Sequence, residues 1–195
     1  MTRHRHHRPH LPLFWPPSVA ARGRRVRLVV LDVDGVLTDG GIRHGDHDEH
    51  KRFAVRDGLG LRLLRDHGVA VGAITARRSL AMERRAKELD LDFLHQGCGD
   101  KGSALDHELS RRNLDAMAVA AMGDDLVDLP LLTRVGLATA PHDAHRTVLR
   151  HVHWIAPHPG GQGAVRALAE ALLRAQGHWP RILSRYLPAI SPGEG

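Results

Sequence analysis

The chain has a single cysteine, Cys98, in 195 residues, so no intrachain disulfide can brace it and a reducing compartment, the cytoplasm, is the simplest expectation. No motif around Cys98 marks a nucleophile, and a packed or loop thiol is expected there. Aromatic residues make up 4% of the chain, too few for the stacked platforms that grip single-stranded nucleic acid. The core must therefore be built from Leu, Val and Ala. No apolar run approaches the roughly 20 residues of a membrane-spanning helix. The apolar stretch at 11–15 is interrupted by Pro12 and closed by Pro16 and Pro17, which speaks against a secretory signal. Lysine is also scarce: Lys51, Lys87 and Lys101 stand against 25 arginines.

What is present is unevenly placed. The net charge is +6, yet residues 1–27 hold seven arginines and no acid, and residues 28–195 carry 21 basic against 22 acidic side chains. The domain is thus nearly neutral, and no nucleic-acid partner is expected for it. Residues 1–25 read as a disordered basic arm. His4, His6, His7 and His10 lie in that arm among arginines that repel cations, with no acid or cysteine to complete a metal site. Residues 26–178 are long enough for one well-packed domain, and 179–195, with three prolines, read as a C-terminal extension. No repeat is visible at solenoid periods.

Continuous apolar runs at 27–32, 69–74, 116–122 and 152–155, with weaker ones at 92–94 and 136–138, suit strands buried on both faces of a parallel sheet. Helical patterns lie between them at 58–66, 79–89, 101–112, 125–134 and 144–150. A clear amphipathic helix comes next, with Ala164, Val165, Leu168, Ala169, Leu172 and Leu173 on one face and Gly177 as its stop. This alternation predicts an α/β fold with a doubly wound, mostly parallel, Rossmann-like sheet. Residues 36–53, with Gly40, Gly41 and Gly45, predict a β-hairpin flap. Its acidic and histidine tip at 46–50 resembles a metal cluster, but consecutive residues on a hairpin alternate sides, so a solvated turn is expected.

In such sheets ligands bind beyond the carboxyl ends of the strands. The first strand delivers Asp32-Val-Asp34-Gly-Val-Leu-Thr-Asp39 there, the second Thr75-Ala-Arg77, and the fourth Gly123-Asp124-Asp125 with Asp128; Lys101 opens an intervening helix. Carboxylates, a hydroxyl and cations gathered at one sheet edge suit a phosphate and a divalent metal. An aspartate can attack phosphorus and form an aspartyl-phosphate, and a second carboxyl can manage the proton. Asp32, the backbone carbonyl of Asp34 and Asp124 would give Mg²⁺ the oxygen ligands it prefers. The alternative is that these residues are helix caps and solvated turns of an ordinary α/β protein.

The four segments, in this order, resemble the motifs of the haloacid dehalogenase-like (HAD) phosphatases. The resemblance implies Asp32 as nucleophile, Asp34 as general acid/base, Thr75 and Lys101 as phosphate ligands, Asp124 as a further metal ligand, and Asp125 and Asp128 as supports for Lys101 or metal-bound water. Only 42 residues separate Asp34 from Arg77, which leaves no room for an inserted cap domain. A homo-oligomer in which a neighbouring subunit covers the site is therefore expected.

Among capless members the chain is similar over 26–178 to the 3-deoxy-D-manno-octulosonate 8-phosphate phosphatases of lipopolysaccharide precursor synthesis. The matching stretches include Phe53-Ala-Val-Arg-Asp-Gly-Leu-Gly60, Gly123-Asp-Asp-Leu-Val-Asp-Leu-Pro130 and Gly160-Gly-Gln-Gly-Ala-Val-Arg166. The resemblance implies a tetramer and substrate contacts from Ala54, Val55, Arg56, Asp57, Gly58, Arg62, Arg77 and Arg85, besides Asp34 and Lys101. Ala54, Ala76 and Gln162 depart from that family's usual Asn, Gly and Arg. The departures leave open a phosphatase for a nine-carbon sugar acid or another small phosphomonoester; a reading of a different class is a catalytically idle fold that acts by binding nucleic acid or a partner through the basic arm.

Overall fold

A computed structural model describes residues 15–45 and 49–187. Six parallel strands form the main sheet in the order β5-β4-β1-β6-β7-β8: β1 (Leu28–Leu31), β4 (Ala70–Ile74), β5 (Phe93–His95), β6 (Val119–Met122), β7 (Leu137–Ala140) and β8 (Trp154–Ile155). β1 is central, with Leu31 in register with Ala73 of β4 on one side and Met122 of β6 on the other. The chain therefore winds outward in both directions from β1, which makes the carboxyl end of β1 the crevice of the sheet.

The apolar runs are continuous because both faces are covered. Val29 and Leu31 point into one core with α1 (Pro17–Arg25), α2 (Val55–Arg65), α3 (Leu80–Glu88), α7 (Ala164–Ala175) and α8 (Trp179–Leu183). Leu28 and Val30 point into a second core with α4 (Lys101–Arg112), α5 (Leu129–Leu132) and α6 (Arg146–Leu149). The α7 stripe packs as its spacing predicts. Gly177, at φ 78°, lets the chain turn while the His178 amide donates back to the Leu173 carbonyl, a Schellman stop.

The boundary of the basic arm needs correction. From residue 15 the segment is ordered: Trp15, Val19 and Gly23 follow one helical stripe, and Trp15 meets Trp154 edge-on at 5.6 Å. Gln176 donates to the carbonyls of Gly23 and Val26, tying α1 to the end of α7. The arginines lie on the other positions, so composition hid an apolar i, i+4 stripe. The histidine-bearing first part of the arm lies outside the described residues.

Other boundaries shift for local reasons. The 116–122 run opens with a 3₁₀ turn capped by Asp115, so its strand begins only at Val119. The 125–134 pattern splits into a 3₁₀ turn over 126–128 and the short α5, because Asp125 caps at once and Pro130 restarts the backbone. α2 begins three residues earlier than expected, with Val55 facing solvent. The predicted flap is a two-stranded antiparallel hairpin, β2 (Arg43–His44) and β3 (Glu49–His50), whose tip at 46–48 lies outside the described residues. Among the described residues no helix is long and apolar enough to cross a membrane.

Candidate active site

Asp32 comes directly after β1, and its amide still donates to the Met122 carbonyl of β6. Lys101, the first residue of α4, is fixed because Asp100 caps that helix through the amides of Gly102 and Ser103. Its buried ammonium donates to Asp32 Oδ1 and to Asp128 Oδ1, both at 2.5 Å. Asp128 is fully buried, and its other oxygen accepts from the amides of Asp124 and Asp125 at 2.9 and 3.1 Å. It thus fixes Lys101 and the β6 turn together. Asp125 turns elsewhere, its carboxylate capping the amide of Leu126 at 2.7 Å, so Asp128 alone of the two supports Lys101. Removing the lysine would strand two buried carboxylates, a change that typically costs about 3–5 kcal/mol.

Asp32, Asp124 and Asp128 each bring a carboxylate oxygen within 4.8 Å of the others. Burial, then the Asp128 charge, pushes Asp32 up to about 6 against the pull of Lys101. Burial, then Asp32 and Asp128, pushes Asp124 up to about 8. Asp124 Oδ1 and Asp34 Oδ2 are buried without a hydrogen-bond partner, and buried acceptors of this kind need one. An all-oxygen donor set with excess negative charge and unsatisfied lone pairs fits a small hard dication such as Mg²⁺. Gly35 makes the fit possible: at φ 96°, a Cβ there would lie 2.1 Å from Asp124 Oδ2.

The chain matches the family model for haloacid dehalogenase-like hydrolase over residues 91–168. It is 41% identical to the 3-deoxy-D-manno-octulosonate 8-phosphate phosphatase KdsC of Yersinia pestis over 160 residues, 82% of this chain and 86% of that protein. The chain belongs to the KdsC family. Its fold superposes on a probable YrbI family phosphatase from Pseudomonas syringae pv. phaseolica with a TM-score of 0.87 at 40% identity, covering 89% of this chain and 99% of that one. It also superposes on the 3-deoxy-D-manno-octulosonate 8-phosphate phosphatase from Moraxella catarrhalis, solved with magnesium, phosphate and KDO, with a TM-score of 0.85 at 32% identity, covering 87% and 98% of the two chains.

The residues that KdsC resemblance singles out are not all gathered at one point. Thr75 is buried at the end of β4, and its hydroxyl accepts from the Arg77 amide at 3.2 Å. Arg77 reaches Glu49 at 2.7 Å and Asp34 at 4.0 Å. Ala54, Val55 and Arg56 line a cavity of about 630 Å³ with Arg52, Gln162 and Arg166. Asp57 is instead turned inward, and its carboxylate accepts from the amides of Gly163 and Arg166 at the start of α7. Gly58 is buried against the Arg85 guanidinium. Arg85 is tied to Glu88 at 2.8 Å and lies over the Phe53 ring, and Arg62 is exposed on α2.

Two residues at the site carry no signature in the sequence motifs. Lys51 donates from the flap to Asp34 Oδ1, and Glu49 pairs with Lys51 at 3.1 Å. Burial opposes ionisation of Glu49, but hydrogen bonds from Arg77 and Lys51 prevail and hold it at about 2. The available signal was lysine scarcity: of the three lysines, two stand at the site.

Proposed function

We propose that this chain is a cytoplasmic, Mg²⁺-dependent phosphomonoesterase that hydrolyses 3-deoxy-D-manno-octulosonate 8-phosphate to the free sugar acid and phosphate. The observation that carries the reading is the Lys101 ammonium held between Asp32 and Asp128 with Asp124 alongside. The high identity to KdsC phosphatases and the magnesium, phosphate and KDO of the Moraxella catarrhalis structure support the choice of metal and substrate.

In this reading Asp32 attacks phosphorus in line, the bond from phosphorus to the sugar oxygen breaks, and Asp34 gives its proton to the leaving alkoxide. Asp34 then takes a proton from the water that attacks the aspartyl-phosphate; the bond from phosphorus to Asp32 breaks and phosphate leaves. Lys101 and the Thr75 hydroxyl hold phosphoryl oxygens throughout. Mg²⁺, held by Asp32, Asp124 and the Asp34 carbonyl, supplies charge neutralisation and orientation when bound.

Val55, Leu80, Leu126 and Val127 are exposed apolar side chains at or just after the starts of elements that come after the strand ends. With no cap domain, they support a homotetramer in which one copy shields another's site. Light scattering of the purified chain measures this directly, and a monomer at working concentration would refute it.

A second substrate reading rests on the cavity beside α2. Ala54 and Gln162, two of the departures from the family pattern, line the same cavity, so a sugar held there would meet a different set of contacts from the usual one. A kcat/KM panel with Mg²⁺ over octulosonate, nine-carbon sugar-acid and non-acidic phosphosugars decides between them, and preference for a non-acidic substrate would sink the octulosonate assignment. Asp32→Asn is expected to lower kcat by about 10³-fold or more. Retained turnover would overturn the mechanism, and an unmodified chain inert with Mg²⁺ would favour the idle fold.

A further inference from the structure

The two lysines at the site are arranged alike. Lys101 is buried and bridges Asp32 to Asp128; Lys51 is buried too, its side chain 1% exposed, and bridges Asp34 to Glu49. Each catalytic aspartate thus has its own ammonium, and each ammonium is anchored by a second carboxylate. In a chain with 25 arginines and three lysines, arginine serves nearly everywhere a cation is needed. The exceptions at these two places suit a compact point charge on a flexible stem, which fills less of the buried space between two carboxylates than a planar guanidinium does.

Glu49 and Lys51 lie two apart at the end of β3, so extended backbone turns both to one side, and that side faces Asp34. Glu49 also takes Arg77 at 2.7 Å, from the turn after β4. The flap is thereby tied to two separate strand ends of the main sheet, to Asp34 after β1 through Lys51 and to Arg77 after β4 through Glu49.

We infer that Lys51 is a positioning residue for Asp34, anchored by Glu49, and that this pair seats the flap on the active site. The inference rests on the phosphatase function proposed for the chain. Lys51 holds the Asp34 carboxylate in the orientation from which it meets the leaving oxygen and later the attacking water, and Glu49 sets where Lys51 can stand. A carboxylate freed from such a support typically loses about 10- to 100-fold in function, felt in turnover more than in substrate affinity.

The experiment pairs kinetics with limited proteolysis on the full chain, using Lys51→Ala, Lys51→Met and Glu49→Gln. All three are expected to lower kcat by about 10- to 100-fold with KM changed less than about threefold. Ethylamine is expected to restore part of the kcat of Lys51→Ala and none of that of Glu49→Gln, because only the first leaves a lysine-shaped gap. An arginine-specific protease, whose flap sites Arg43 and Arg52 are unchanged in every variant, is expected to cut the flap faster in all three variants, read by mass spectrometry. Wild-type kcat in Lys51→Met, or a loss matched by a fall in melting temperature with no amine rescue, overturns the inference. If the unmodified chain turns over no phosphomonoester, the phosphatase reading fails on its own. The flap seat is then judged by proteolysis alone, and equal cleavage of wild type and Lys51→Met overturns it.

Discussion

Removing the metal from a site with this many buried carboxylates should cost the protein stability, and the cost should depend on pH. An acid whose folded pKa is raised stabilises the fold fully below its unfolded value, and that contribution is lost as pH rises through the folded value. Asp32 moves from 3.8 to about 6 and Asp124 from 3.8 to about 8. At about 1.36 kcal/mol per unit, Asp32 alone accounts for roughly 3 kcal/mol. Asp124 is only partly buried, so its share is discounted for screening, and the pair together amounts to something on the order of 5 kcal/mol.

The metal-free chain should therefore lose stability as pH rises from about 4 to about 8, the Asp32 share by about pH 6 and the Asp124 share up to about pH 8. Glu49 and Glu108, each held at about 2, act in the opposite sense, but only as pH falls from 4.5 toward 2, so the two windows meet only near pH 4. Mg²⁺ at a hundred times its Kd adds about 2.7 kcal/mol. At about 2–4 °C per kcal/mol for a chain of this size, the melting temperature should rise by roughly 5–10 °C. The rise should be smaller at pH 5.5, where binding must first displace protons. Differential scanning calorimetry with Mg²⁺ or EDTA at pH 5.5 and 8 measures all of this. Asp124→Asn should raise the metal-free melting temperature at pH 8 and abolish the Mg²⁺ response. An Mg²⁺ shift that is the same at both pH values, or that survives in Asp124→Asn, would refute the reasoning.

Two further substitutions separate positioning from fold. Gly35→Ala places a methyl 2.1 Å from Asp124 Oδ2 at a backbone φ of 96°; Mg²⁺ affinity by calorimetry should fall about 10- to 100-fold, and unchanged affinity would show that Asp124 does not bind the metal. Asp57→Asn weakens the acceptor that starts α7 and should cost about 1–2 kcal/mol in urea unfolding with kcat/KM retained. The reverse outcome, stability kept and kcat/KM lost, would return Asp57 to the substrate as the family resemblance implies.

The strands were legible because burial on both faces leaves an unbroken apolar run, and α7 because its stripe is clean. Asp32, Asp124 and Lys101 were legible because a parallel sheet gathers the turns after its strands at one edge. Trp15, Val19 and Gly23 were hidden because a three-point stripe carries little weight among arginines. The partners of Asp57 were not legible because its motif looks the same whether the carboxylate faces substrate or the amides of Gly163 and Arg166. Glu49 and Lys51 depend on where a hairpin folds back, which no local period encodes.

The distribution of amines offers a way to watch the flap move. Lys87 is exposed on α3, while Lys51 and Lys101 are shielded. An acylating reagent in native buffer should modify Lys87 at the rate of a free amine. Lys51 should react only as often as β3 lifts from Asp34, and Lys101 only when the cluster around Asp128 opens. Two neighbouring amines would then time two different openings, one of a hairpin and one of the sheet's own edge, against a third that serves as the internal clock.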